Sequence, residues 1–178
     1  YQLMAGLHLV LSFSHPLFVQ IILACSQYII RRSNRPYDFE NVKIRHMKTL
    51  KEEIIFECSA KHLWGILSDV SRCDWVPTIN EMTLEGDCRV FEMEGMGKVK
   101  EQILLLDNDM MKLQYSAIET RTPIDHHLAT MQISQIDTEN CKLLWTTEIE
   151  PEIFADAIHH GMLISIDGLK KVVRTQHR

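Results

Sequence analysis

The stretch that decides the fold is the last one, PEIFADAIHHGMLISIDGLKKVVRTQHR, residues 151–178. Pro151 ends whatever strand precedes it, because it has no N–H to donate and its φ is fixed. After it, Ile153, Phe154, Ala157, Ile158, Met162, Ile166, Leu169, Val172 and Val173 recur at steps of three and four. That is one apolar face of a long helix. A helix over 153–174 would be roughly 33 Å long, enough to cross a small domain. The face carries a narrow stripe of small residues, Ala157, Gly161, Ser165 and Gly168. Glycine inside a helix costs about 1 kcal/mol relative to alanine, so two of them need a reason. Either another backbone comes very close, or the helix borders space that stays empty.

Upstream of this helix the text alternates. In Lys51–Cys58, Ile54, Phe56 and Cys58 share one parity and Glu53 and Glu57 the other, which predicts a half-buried strand. Ser59 is a good N-cap, and Leu63, Trp64, Ile66 and Leu67 continue at helical spacing. A second short helical turn is expected over Val70–Trp75, stopping before Pro77. From Ile79 to Glu150 the runs are strand-like. They are punctuated by Gly86-Asp87, Gly95-Met96-Gly97, Asn108-Asp109, Thr122-Pro123 and Thr138-Glu139-Asn140. Six strands are expected, near 79–85, 88–95, 97–106, 112–120, 126–136 and 141–150. No strand–helix–strand alternation occurs, so the sheet should be antiparallel. The fold class is α+β: a curved seven-stranded antiparallel sheet wrapped around the C-terminal helix, with two short helices after the first strand.

Composition sets limits. The 178 residues are enough for one domain with a real core, and 46% apolar with 24% charged is ordinary for a globular chain. The net charge of −5 is uneven: residues 1–46 carry five Lys and Arg against two Asp and Glu. Residues 47–178 sum to −8, a poor match to a nucleic-acid backbone. The five cysteines, Cys25, Cys58, Cys73, Cys88 and Cys141, are odd in number and form no C-x-x-C pair. They read as free thiols in a reducing, cytoplasmic compartment.

Residues 1–46 stand apart from the domain at 47–178. Leu3 to Ile30 is apolar and uncharged, and Arg31, Arg32 and Arg35 follow it. Such a run could anchor the chain in a membrane, with contact through residues 3–30. His8, His15, Pro16, Gln20, Ser26 and Gln27 interrupt it, and no basic region precedes it. A dispensable extension is the other reading, and Arg31 to His46 is a linker under either.

The domain resembles a known superfamily. Phe56-Glu57-Cys58-Ser59-Ala60, then Leu63-Trp64-Gly65-Ile66-Leu67-Ser68-Asp69, then Trp75-Val76-Pro77, is similar to the opening of the helix-grip proteins. These are the START and birch-pollen-allergen-like superfamily, also called SRPBCC. The later text agrees: Gly97-Lys98-Val99-Lys100-Glu101 leading to Asp107, Tyr115-Ser116-Ala117-Ile118 before Pro123, Leu144-Trp145-Thr146, and Gly168-Leu169-Lys170. The branch it looks most like is polyketide cyclase/dehydrase and lipid transport, over residues 50–175. The resemblance implies a long hydrophobic cavity between sheet and final helix. Its ligands would be lipids, polyketides, sterols or other apolar molecules. It does not imply one reaction, since many members only bind.

Strand parity names the cavity lining. Phe91 and Met93 should point inward, with Arg89 near that strand's end; Val99, Ile103 and Leu105 should too, with Glu101 among them. The same parity selects Leu113, Tyr115, Ala117 and Glu119, then His127, Ala129, Met131 and Ile133, then Leu143, Trp145, Thr147 and Ile149. From the helix come Ala157, Gly161, Met162 and Ser165. The inward polar set is Glu101, Tyr115, Glu119, His127 and Thr147, with Arg121 near the rim. A few convergent polar groups in an apolar cavity suit a small hydrophobic molecule.

Two further readings stay open. An enzyme of cyclase or dehydratase type would use Glu101 or His127 as acid or base, with Tyr115 or Arg121 holding an oxyanion. A protein-interaction module would show an exposed apolar patch outside the cavity. Against catalysis, Glu101 has a structural alternative as the partner of Arg89 or Tyr115, and His127 as a sheet-edge residue. No metal or cofactor is expected, because His126-His127 and His159-His160 are adjacent pairs without further ligands at metal spacing.

Overall fold

A computed structural model describes residues 46–93 and 97–176. The extension and linker read over residues 1–46 lie outside these residues except for His46, as do Gly95 and Met96 of the second expected turn. Seven strands follow the expected order: β1 (Lys48–Phe56), β2 (Ile79–Glu85), β3 (Cys88–Met93), β4 (Gly97–Asp107), β5 (Lys112–Glu119), β6 (His126–Gln135) and β7 (Cys141–Glu150). Helix α1 (Ala60–Leu67) follows β1. A 3-10 turn over Glu152–Phe154 leads into α2 (Ala155–Gln176). All neighbours pair antiparallel in the order β1-β7-β6-β5-β4-β3-β2. This is the helix-grip arrangement, an open curved sheet holding one long helix.

The second short helix is absent. Residues 68–76 run instead through turns, with Arg72 N–H donating to Asp69 O at 3.0 Å and Val76 N–H to Cys73 O at 2.9 Å. Asp69 Oδ1 takes the Ser71 N–H at 3.2 Å, and Arg72 pairs with Asp74 at 2.6 Å. Side chains that satisfy nearby backbone this way compete with a helix. The first helix is capped as expected, by Ser59 Oγ accepting from His62 N–H at 3.2 Å.

The apolar interior is in two pieces. The larger joins β1, β5, β6, β7, α1 and α2 through residues such as Phe56, Leu63, Leu113, Leu143, Ile166 and Leu169. The smaller joins Ile79, Phe91 and Val99 on β2 to β4. All four described cysteines are free, and Cys58 and Cys141 bury their sulfurs 4.0 Å apart.

Helix α2 answers the question its glycines raise at Gly168. A Cβ on Gly168 would lie 2.3 Å from the Trp75 carbonyl oxygen and 3.0 Å from Pro77 Cδ, so the chain passes there because no side chain intervenes. A Cβ on Gly161 would meet no atom within 4 Å. The row that packs into the core is Ala155, Met162, Ile166, Leu169 and Val173. The small-residue stripe lies roughly 100° around the helix from that row, on its flank. The opposite flank, with Leu163, Asp167 and Lys170, faces β1.

These two glycines should therefore respond oppositely. Gly168→Ala is expected to destabilise by about 1–3 kcal/mol, because a backbone carbonyl cannot move as a side-chain tip can. Gly161→Ala should be neutral or stabilising by up to about 1 kcal/mol, the helix-propensity gain alone. Urea midpoints of the two variants measure both; equal losses would mean the helix packs alike at both positions.

Candidate functional site

The inner face of the sheet is built by register. Arg89 lies opposite Glu101 on β4, and Glu101 opposite Ala117 on β5. Tyr115 lies opposite Ala129, Ala129 opposite Thr147, and Thr147 opposite Leu50. Met131 lies opposite Trp145, and Trp145 opposite Glu52. One concave face thus carries Arg89, Glu101, Tyr115, His127, Trp145, Thr147 and Glu52.

At its centre is a buried ion pair. Arg89 Nε donates to Glu101 Oε2 at 2.6 Å, with side chains only 6% and 13% exposed. The Arg89 guanidinium carbon sits 4.3 Å from the centroid of the Tyr115 ring, a cation–π contact. Burial works against the arginine's charge, but Glu101 and Tyr115 more than offset it, so its pKa is raised. The Tyr115 hydroxyl is held protonated: burial pushes its pKa up, the Glu101 charge adds to this, and Arg89 and Trp145 only partly oppose it. The pair lies on β3 and β4, the strands that also carry Phe91 and Val99 of the smaller apolar cluster.

His127 borders this group, its ring 6.1 Å from that of Tyr115. Its Nδ1 accepts the Ala117 N–H at 3.0 Å, and Ser116 Oγ donates to its carbonyl at 2.6 Å. The paired residues of β5 and β6 end at Tyr115 and Ala129, and the imidazole continues the bonding beyond them. This contact fixes the neutral tautomer with the proton on Nε2. Burial lowers the His127 pKa. His127 therefore offers a donor and no free lone pair, which removes it as a base in this state.

Trp145 is buried and its Nε1–H has no hydrogen-bond partner of ordinary geometry. It still lies near enough to the Tyr115 hydroxyl to oppose that group's pKa rise. Its ring meets Trp75 edge-on at 6.2 Å. Trp64, by contrast, donates to Asn108 Oδ1 at 2.9 Å.

Other expected lining residues fall elsewhere. Glu119 is exposed and lies opposite Lys100, not on the inner face. The cause is a bulge: Lys100 pairs with Glu119 but Glu101 with Ala117, so Ile118 is extra and parity reverses beyond it. A second bulge at Leu104 puts Leu105 opposite Gln114, reversing its expected facing too. Ala157 is exposed on the helix flank, and Met131 and Met162 are buried in the large cluster as core residues. Phe91 belongs to the small cluster, and Met93 packs against it. Ser165 and Thr147 are buried. Arg121 is exposed, with its guanidinium over Gly97.

Sequence reasoning placed Arg89 near the end of its strand and named it as one alternative partner of Glu101, without fixing which partner it was. The signal was available: counting outward from the Met93–Gly97 hairpin pair places Arg89 opposite Glu101. It also passed over Glu52, which shares the parity of Ile54 and accepts from His159 Nε2 at 2.5 Å, tying α2 to β1.

Two surface clefts flank the site. One of about 630 Å³ runs between β1 and α2, lined by Ile54, Ile55, Leu163 and Ile166 with Glu52, Glu53, Asp167 and Lys170 around them. The other, about 460 Å³, opens at the far end beside Pro77, Asn80, Met93 and Arg121. Among the described residues no cluster of His, Cys, Asp or Glu could hold a metal ion, and no helix is long and apolar enough to cross a membrane.

Comparison with known proteins agrees with this architecture. The model of a family described as polyketide cyclase / dehydrase and lipid transport matches residues 47–173. Norcoclaurine synthase from Thalictrum flavum, solved as a point mutant with a transition-state analogue, superposes with a TM-score of 0.64 at 19% identity. That match covers 75% of this chain and 98% of the synthase. The Zhui aromatase/cyclase from Streptomyces sp. R1128 gives a TM-score of 0.63 at 13% identity, over 75% of this chain and 97% of that one. XoxI from Bacillus cereus gives 0.66 at 16% identity, over 73% and 98%. No curated protein matches the sequence. At these identities the structural matches show the helix-grip fold.

Two outcomes follow from the polar centre. Arg89→Met strands a buried carboxylate and should cost about 3–5 kcal/mol, whereas Arg89→Met with Glu101→Leu should recover most of it. Denaturation of single and double variants decides this; equal losses would show that the pair does not act as a unit. For His127 the sign is fixed by its lowered pKa: the unfolded chain binds more protons, so stability rises with pH. His127 contributes fully above the ordinary value near 6.5, and that part is lost on acidification below it. His127→Asn, which keeps an acceptor for Ala117 N–H, should flatten the pH 5–7 slope of the urea midpoint, by up to about 1.4 kcal/mol per pH unit. An unchanged slope would contradict the assignment.

Proposed function

The chain belongs to the polyketide cyclase/dehydrase and lipid transport family, and on that premise we propose that it binds or carries a small apolar molecule between sheet and helix. The family binds small hydrophobic ligands. The observation that carries the reading for this chain is the open space beside Gly161, on a helix pinned at Gly168. Gly168 fixes the helix at one level, and at Gly161 no atom lies within 4 Å of the Cβ position.

The enzyme reading has less support from the residues. Glu101, its first acid–base candidate, is already engaged by Arg89 at 2.6 Å. His127, its second, has its Nδ1 lone pair occupied by the Ala117 N–H. Arg121 lies exposed over Gly97, away from Tyr115, so the pair nominated to hold an oxyanion does not converge.

Filling the space tests the binding reading. Gly161→Leu should fold normally and bind the apolar fluorescent probe N-phenylnaphthylamine at least about tenfold more weakly than the parent. Leu163→Ser, in the cleft between β1 and α2, should leave probe binding unchanged. Undiminished binding by Gly161→Leu would sink the proposal, and a loss confined to Leu163→Ser would move the site to that cleft.

A further inference from the structure

Strand β1 is one edge of the sheet and β2 the other. An edge strand offers a row of unpaired N–H and C=O groups to any second strand, and most proteins blunt it. The two edges differ in how far this is done. β2 spans seven residues, and its pairing with β3 shifts register between Ile79 and Met82. β1 spans nine residues without proline and pairs with β7 in one unbroken register, from Lys48–Ile149 to Phe56–Cys141. Its far side meets no strand among the described residues. Apolar side chains flank that side: Ile55 is 64% exposed, and Leu163 of α2, across the cleft, is 41% exposed.

We propose that this edge is occupied by a second copy of the chain, the two β1 strands pairing antiparallel about a two-fold axis at Glu52. The exposed row of β1, Thr49, Lys51, Glu53 and Ile55, is complementary to itself. Reversed about Glu52, it sets Lys51 opposite Glu53 of the second copy and Thr49 opposite Ile55, each twice by symmetry. The Lys51–Glu53 ion pair within one chain, 2.7 Å, then becomes part of a ring of four alternating charges. Lys142 of β7 adds a longer contact to Glu53, at 3.8 Å. Moving the axis one residue either way sets Lys51 opposite itself or Glu53 opposite itself, which is unfavourable. On the inner row Leu50 lies opposite Ile54, and Glu52 opposite itself, each carboxylate held by its own His159. Lys51 deters strands in general and admits the one whose Glu53 meets it.

Sedimentation of the full chain and of two charge reversals tests this, with circular dichroism to check that each variant folds. The wild-type chain should be dimeric at about 100 μM. Lys51→Glu and Glu53→Lys should each weaken self-association at least about tenfold, since each turns two attractive pairs into repulsive ones. Mixed in equal amounts, the two variants should form a heterodimer about as tight as the wild-type dimer, because every reversed charge then faces its opposite. Contacts within one chain cannot produce that recovery. A monomeric wild-type chain would overturn the proposal. So would a dimer that both reversals leave intact, which would place the interface on another face, or variants that stay monomeric on mixing. Should either reversal not fold, hydrogen exchange of the wild-type β1 amides decides. It should slow as protein concentration rises, and exchange independent of concentration would overturn the pairing.

Discussion

The structure turns on one close contact, the passage of Gly168 against the carbonyl of Trp75. A Cβ there would be 2.3 Å from that oxygen, so the helix and the turn after α1 approach as only glycine allows. The contact fixes the depth of α2 near its C-terminal half, where Leu169 and Val173 are buried in the larger cluster. Nearer the N-terminus the helix is held differently, by the His159–Glu52 bond to the edge strand β1. One flank is tied to β1 and the other is left open at Gly161. A helix fixed in this way need not fill the concavity of the sheet beneath it.

Beneath it the sheet carries polar side chains where a plain core would carry apolar ones. The Arg89–Glu101 pair is buried on the same two strands as Phe91 and Val99 of the smaller apolar cluster. Buried ion pairs are weak contributors to stability, since desolvation cancels much of the Coulomb attraction. The pair's effect here is to consume one carboxylate and one cation.

Much of the fold was legible because period-two alternation and turn residues report backbone state directly. The six strands after Pro77 match those drawn from Gly86-Asp87, Asn108-Asp109 and Thr138-Glu139-Asn140 to within two residues. The superfamily was legible too, from motifs spread over the domain. The failures have local causes. Val70–Trp75 carries a helical pattern, but Asp69 and Arg72 spend their side chains on turns. Glu119 was read inward because alternation assumes no extra residue, and the bulge at Ile118 supplies one. The Gly161 and Gly168 ambiguity could not be decided from sequence, since both answers look identical on one helix. Arg89 was legible through hairpin register, but only once strand and turn were taken together.

The central claim is that α2, pinned at Gly168, stands clear of the sheet at Gly161. Crystals soaked with iodobenzene test it most directly, because the anomalous signal of iodine locates an apolar molecule without assumption. The account predicts an iodine peak between the Gly161 flank of α2 and the inner face that bears Tyr115 and Trp145. Iodine found only in the cleft between β1 and α2, with side chains closing the space beside Gly161, would contradict it.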